Sequence, residues 1–508
     1  MKKLKIVSLS LIFMIFYSCD KFFETTPDDF LSPVNYFNTE AHLDYALSGV
    51  YEILAHSNLY STNYISEMGT EADEGYYRAA SKVNGPQVYV FGPSDVTVTN
   101  LWRTLYEGIN RANILLTNID KPNMDEQRRA VIKGEALFLR SYFYFLLVIN
   151  WGGVPLILEP TESAQGNNIP RASAVHVYEQ IVADMKEAES LVPSAVSVGF
   201  GGRVSRSAVR GMLARVYLHW AGYPIKDESK YKDAKEWAEK VMDPLEGHML
   251  NPSFEQVFLN YSQDLYDIKE SILEVEFWGN LTDAFHAVGR VGNVNGVFTT
   301  NEDVIGHAYG FIRATPKLYN LYDDDDIRRD WAICPFTYDA QGNRVDRPIL
   351  ERNPGKYRRE HEVVIPKHRL GTPINFPLLR YADVLLMYAE AENQLNGPTA
   401  DAHAALNQVR DRAQVMLFEG TDEITDRVTF QQIIQEERAR ELCFEALRKY
   451  DLIRWGILTL EMKEVLSTLP AGAFYRMAFE NVTDRNVLFP IPARELSLNR
   501  DLEQNAGW

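Results

Sequence analysis

Cysteine is scarce, at three residues in 508. Cys19 closes an N-terminal apolar run, while Cys334 and Cys443 lie far apart and form no CxxC. A disulfide framework is therefore excluded as the source of stability, and two buried free thiols are expected. Positive charge is scarce too. The chain sets 52 Lys and Arg against 70 Asp and Glu, for a formal net charge of −18. A surface this acidic repels phosphate backbones, which argues against nucleic-acid binding, and it offers no polybasic membrane patch. After residue 17 no segment approaches 18 uncharged apolar residues, so no later spanning helix is expected.

Catalytic signatures are missing as well. There is no HExxH, no GxSxG, no Walker-type phosphate loop and no strand-linked GxGxxG. None of the ten His residues forms an i, i+4 pair that would favour metal binding. Asp323 to Asp326 is an acidic run without the alternation and glycine of an EF-hand loop, and reads as a solvated turn. Neither a metal nor a cofactor is expected.

What is present begins with an address. Lys2, Lys3 and Lys5 precede an apolar run from Ile6 to Tyr17, then Ser18 and Cys19. The run suits a signal peptide and is short for a spanning helix. A small residue before Cys at its end is the pattern of a bacterial lipoprotein signal, residues 1–18, with Cys19 as the lipidated first residue of the mature chain.

Helical periodicity dominates the remainder. The spacing predicts helices over Leu101–Ile119, Asp125–Ile149, Ala174–Leu191, Ser205–Trp220 and Tyr231–Met242. It predicts three more over Tyr381–Leu395, Ala402–Ala413 and Phe430–Ile453. Trp151-Gly152-Gly153-Val154-Pro155 and Asn396-Gly397-Pro398 are helix stops. Ala208, Gly211 and Ala214 form a small-residue stripe that would let a neighbouring helix approach closely. The expected fold is mainly α: tetratricopeptide-like helix pairs packed against an irregular, loop-rich part, with a few short strands around 271–277.

Aromatic residues reach 12%, more than a helical scaffold needs. Many fall in two irregular excursions, near 56–100 and 251–380. Flat rings can bury the C–H face of a sugar while polar side chains bond its hydroxyls. On that ground Asp73, Tyr76, Tyr77, Arg78, Trp278, Phe285, Tyr309 and Arg313 are the candidate ligand-binding residues. Glu67, Glu71 and Asp73 together could instead form an acidic face for cationic peptides.

Several motifs resemble the SusD/RagB family of surface nutrient-capture lipoproteins. They include Cys19-Asp20-Lys21-Phe22-Phe23 with Pro27, and Leu101-Trp102 with Tyr106, Arg111, Ala112 and Asn113. Glu135-Ala136-Leu137-Phe138-Leu139-Arg140 running into Trp151-Gly152-Gly153-Val154-Pro155 is similar to the family's most recognisable stretch. Arg380-Tyr381-Ala382-Asp383, Glu437-Arg438, Arg440-Glu441-Leu442, Asp451-Leu452-Ile453-Arg454-Trp455-Gly456, Phe489-Pro490-Ile491-Pro492 and Gln504-Asn505 follow in order. One departure lies at Ala446-Leu447-Arg448, where the family more often carries glycine.

The resemblance implies one SusD-like domain over 19–508. It also implies a lipid anchor in the outer membrane facing the exterior, and a SusC-like TonB-dependent transporter as partner. The ligand would be an oligosaccharide, delivered to that transporter without covalent chemistry. The signature residues Arg140, Arg380, Arg440 and Asp451 are expected to tie helices together, not to touch ligand. Two other readings are open: the same capture role for peptides or glycopeptides, and a helical glycosidase or lyase with a carboxylate pair in the excursions.

Overall fold

The computed structural model describes residues 36–508 apart from 70, 162, 164–167, 283–286, 419–423 and 425. Cys19 and Phe285 lie outside the described residues.

The protein is mostly helical. Helix α1 spans Glu40–Tyr51, α2 Val96–Thr117, α3 Glu126–Trp151, α4 Ala174–Leu191, α5 Arg206–Ala221 and α6 Lys230–Met242. After α7 (Phe254–Gln263) come α8 (Tyr381–Asn396), α9 (Ala400–Arg412), α10 (Arg427–Leu442), α11 (Arg448–Arg454), α12 (Leu458–Thr468) and α13 (Ala493–Leu498). Successive helices pack against one another, α2 on α3, α3 on α4, α5 on α6 and α8 on α9, with α6 against α8 joining the two halves. The N-caps are chemical. Asp95 accepts hydrogen bonds from Thr97 and Val98, and Ser173 and Ser205 each accept from the third residue beyond. No helix among the described residues is long and apolar enough to cross a membrane.

Short strands supply the rest: β1 (Gly75–Tyr77), β2 (Ser271–Val275), β3 (Ile312–Ala314) and β4 (Phe376–Arg380). β1 pairs antiparallel with β3 and β2 with β4. Two further two-stranded ribbons lie between Ile333 and Pro354. One continuous apolar core runs from Phe37 to Leu502.

Three expectations change. The single helix predicted over Phe430–Ile453 is two, α10 and α11, separated by a loop. Phe444 and Ala446 there take φ of 62° and 58°, a left-handed backbone that no sequence period announces because neither is glycine. At Gly211 the small-residue stripe of α5 admits a strand. A Cβ on Gly211 would stand 2.5 Å from the Leu379 side chain of β4. In the acidic turn, Asp323 to Asp325 are exposed as expected, but Asp326 is buried against Arg328.

The signature arginines bind elements together. Arg140 on α3 donates to both carboxylate oxygens of Asp184 on α4, at 2.8 and 3.0 Å, and to Asn113 on α2 at 3.0 Å. Trp151 donates its indole N–H to Pro490 O at 3.0 Å, so the Trp-Gly-Gly turn and the Phe-Pro-Ile-Pro segment hold each other. Asn505 bonds Trp151 O and Phe489 O from the tail.

The largest polar feature is buried. Arg380 reaches Glu270, Glu441 and Glu445 at 2.8 to 3.1 Å, and Arg412 bridges Glu270 and Glu441 at 2.9 and 2.6 Å. Arg328, fully enclosed, meets Asp326, Glu437 and Glu441 at 2.7, 2.6 and 3.1 Å. Against the opposing effect of burial, Arg328, Arg440 and Arg410 hold the Glu437 carboxyl down to about 2, and Arg412, Arg380 and Arg328 do the same for Glu441. Beside it, Asp383 takes Arg215 and Arg438, and Asp451 takes Arg438 and Arg454. Buried charges survive only when so paired.

Candidate ligand-binding site

The two excursions meet at the β1–β3 ribbon. Tyr77 closes β1, and the chain entering β3 carries His307, Tyr309 and Phe311 at every second position. Tyr77 stacks on Phe311 with ring centroids 5.0 Å apart, and Phe311 on Tyr309 at 4.9 Å with only 6° between planes. His307 meets Tyr309 edge-on at 4.8 Å. The result is a ladder of three near-parallel rings, two of them half-buried.

Backbone contacts hold the rungs. Tyr309 N donates to Asn293 O at 2.8 Å, Phe311 N to Val294 O at 3.1 Å, and Arg78 N to Phe311 O at 2.7 Å. Gly310 sits between two rungs with φ of 52°. A Cβ there would come 2.9 Å from Asn353 Nδ2 and 3.0 Å from Phe298 Cβ, so only glycine lets the rungs align.

Cations flank the rings. Arg78 donates to Tyr309 O at 3.0 Å and lies 4.3 Å over the Phe298 ring. The Arg290 guanidinium stands 5.5 Å from the Tyr309 centroid, and Lys82 stands 5.9 Å from Tyr77 while pairing with Glu67 at 3.0 Å. Half-burial lowers the Arg78 and Arg290 pKa without removing their charge. Flat apolar faces bordered by fixed donors can hold a hydroxylated ring; no nucleophile–base pair is in evidence among the described residues of this cluster.

The candidates from sequence divide. Tyr77, Arg78 and Tyr309 come together in the ladder. Tyr76 and Arg313 face each other across the ribbon, but Tyr76 turns away from the ladder. It is buried, its hydroxyl bonds Leu350 O, and its ring stacks on Tyr475 at 4.8 Å. Trp278 is 44% exposed, on a chain reversal where its N–H meets Ala287 O at 2.9 Å. No ring contact among the described residues joins it to the ladder.

Asp73 is corrected. It is buried, and Arg448 donates to both its oxygens at 2.8 Å, so no carboxylate edge is left for a ligand. Glu71 is enclosed as well, paired with Lys449 at 3.2 Å, and burial raises its carboxyl to about 7. The acidic face proposed for Glu67, Glu71 and Asp73 therefore does not exist as a surface. Phe311 and Arg290 are the residues that sequence reasoning passed over. The alternation His307-x-Tyr309-x-Phe311 was the available signal for the first; nothing local marks Arg290.

Comparison with known proteins agrees with this architecture. A family model described as the SusD family matches residues 337–508, and one described as starch-binding associating with outer membrane matches 21–218. A SusD-like protein of Formosa agariphila is 26% identical over 540 residues, covering 96% of each chain. The starch-binding protein SusD of Bacteroides thetaiotaomicron is 25% identical, over 83% of this chain and 78% of its own. A crystal structure of a SusD homologue from Bacteroides thetaiotaomicron superposes with a TM-score of 0.86 at 28% identity, over 94% of this chain and 98% of that one. A laminarin-binding SusD-like protein shares the fold at a TM-score of 0.73, with 24% identity over 93% of this chain and 100% of its own. Matched by models at both ends and by a homologous fold along nearly its whole length, this chain belongs to the SusD/RagB family.

Proposed function

We propose that the protein is a surface glycan-binding lipoprotein that captures oligosaccharides on the Tyr77–Phe311–Tyr309 ladder. It passes them to a TonB-dependent transporter of the SusC type, and residues 19–508 act as one unit anchored in the outer membrane through Cys19. The carrying observation is the ladder: three parallel rings with Arg78 and Arg290 at their edges. The names of relatives support the ligand class, since one is a starch-binding protein. No covalent step belongs to this reading. The peptide alternative loses its ground with the burial of Glu71 and Asp73.

Affinity electrophoresis of the chain from Asp20 onward against starch, laminarin, xylan and galactomannan tests the proposal, with the same mixtures assayed for new reducing ends. Retardation by at least one polymer without new ends is expected. New reducing ends would convert the protein into an enzyme, and retardation unchanged by Tyr309→Ala would move the site off the ladder.

A further inference from the structure

A second concavity lies apart from the ladder and shares none of the ladder residues named above. Its volume is about 1140 Å³, slightly above the range usual for small-molecule sites. One wall is α2, the floor is the segment through Pro155 and Ile157, and the far wall is α13 with Leu498 and Asn499. Asn100, Arg103, Thr104 and Glu107 recur on α2 at helical spacing, so a single stripe of polar side chains faces the cleft. Trp102 and Tyr106 add rings to the same wall.

Much of the hydrogen-bonding capacity here is unspent. Trp102 is 3% exposed and lines the cleft, and its indole N–H makes no hydrogen bond to another described residue. Its ring meets Tyr106 at 5.0 Å and Trp151 at 5.2 Å. Asn100 has no side-chain hydrogen bond and Arg103 no ion pair among the described residues. The next arginine of the helix behaves differently: Arg111 is saturated by Gly49 O, Glu52 and Glu107 at 2.6 to 2.7 Å. Across the cleft Glu495 is half-buried, close enough to Arg103 to feel its charge. An indole N–H that lines the cleft and has no protein acceptor is available to donate to a ligand there.

The unspent groups are of mixed character: an indole donor, an amide that donates and accepts, a guanidinium and a carboxylate. Hydroxyl groups, which both donate and accept, complement such a set. A phosphate or sulfate would instead meet Glu107, Glu159 and Glu495. Pro155, Ile157 and Leu498 supply the apolar surface that C–H faces need.

We infer that this cleft is a second oligosaccharide-binding site, for a neutral glycan segment, working independently of the ladder. The inference rests on the glycan-capture reading proposed above. Two sites on one chain would grip a long polymer at separate points, and the avidity would exceed either site alone.

Isothermal titration of the full mature chain tests this, using an oligosaccharide of whichever of the four polymers is retained on the gel. Two sites per chain are expected for the wild type. Asn100→Ala with Arg103→Ala, both surface changes, should remove the cleft site and leave the ladder site unchanged, and Tyr309→Ala should weaken the ladder site roughly 5- to 30-fold while the cleft site keeps its affinity. Trp102→Phe keeps a ring but deletes the N–H, and should weaken the cleft site roughly 2- to 10-fold with an unchanged far-UV spectrum. Loss of all binding in Tyr309→Ala, with none lost in the α2 double variant, would sink the second site and leave the capture reading standing. Loss of all binding in the double variant alone would do the reverse, placing the only site in the cleft. No retention by any neutral polymer would overturn both. Displacement of the cleft-bound sugar by a lysine-rich peptide with higher affinity would reassign the cleft to peptide.

Discussion

Glu74 offers a sharp test of the electrostatic reasoning. It precedes β1 and is 1% exposed. One carboxylate oxygen accepts the Phe444 N–H at 3.2 Å, and the other has no partner. Burial dominates its titration, Asp73 adds repulsion, and Arg448 and Lys356 only partly offset these, so its carboxyl is pushed up to about 8. In the unfolded chain the same group titrates near the ordinary value of 4.5. Between those two values the native state holds a proton that the unfolded state has released. Stability therefore falls as pH rises through this window, by about 1.4 kcal/mol per pH unit for one proton. Over three units that amounts to roughly 4 kcal/mol. Glu74→Gln keeps an acceptor for Phe444 and never ionises. Urea unfolding at pH 5.5, 6.5, 7.5 and 8.5 reads the difference directly. The variant should gain on the wild type by about that increment per unit and stop gaining above pH 8. Parallel pH profiles would mean that Glu74 is ionised in the native state and that the assignment of a proton to it is wrong.

Other expectations concern separate parts of the molecule. Tyr309→Ala removes one stack and one cation–π contact, a loss of about 1–2 kcal/mol in glycan affinity or roughly 5- to 30-fold by titration calorimetry. Its melting transition should barely move. Gly310→Ala places a methyl against Asn353 and Phe298 at a left-handed φ, and should lower both stability and affinity, by about 1–3 kcal/mol in the former; a variant indistinguishable from wild type by thermal melt would contradict the close contact. Arg328→Met leaves Asp326 without its buried counter-charge and removes one of several arginines from Glu437 and Glu441, and should cost about 3–5 kcal/mol in denaturant unfolding. Cys334 and Cys443 are free and enclosed, and burial pushes the Cys443 thiol up to about 11, so Ellman's reagent should modify neither until denaturant is added.

The helix pairs were legible because their signal is local. Apolar period, a capping Asp or Ser, and a glycine or proline stop all lie within a few residues of the element they define. The loop between α10 and α11 was not legible. Its left-handed residues are Phe and Ala, held there by contacts such as Glu74 to the Phe444 N–H, across 370 residues of sequence. The site shows the same divide. Tyr77, Arg78 and Tyr309 could be named from aromatic density alone. Asp73 looked like a ligand carboxylate beside them, since its partner Arg448 lies 375 residues away and no pattern near residue 73 announces it. Tyr76 and Tyr77 are adjacent, and only strand geometry, which sends successive side chains to opposite faces, separates the one that joins the ladder from the one that does not.

The charged interior has a consequence for how the chain is made. Its cations are spread over Arg328, Lys356, Arg380 and Arg412, while four of the carboxylates that neutralise them, Glu270, Glu437, Glu441 and Glu445, are split between the middle of the sequence and its last quarter. A chain synthesised only to residue 430 would possess those arginines and lack most of their counter-charges. Burying them at that stage would be costly, since only Glu270 and Asp326 would be there to pair with them. A fragment ending at residue 430 is therefore expected to be cleaved more readily by protease than the finished protein.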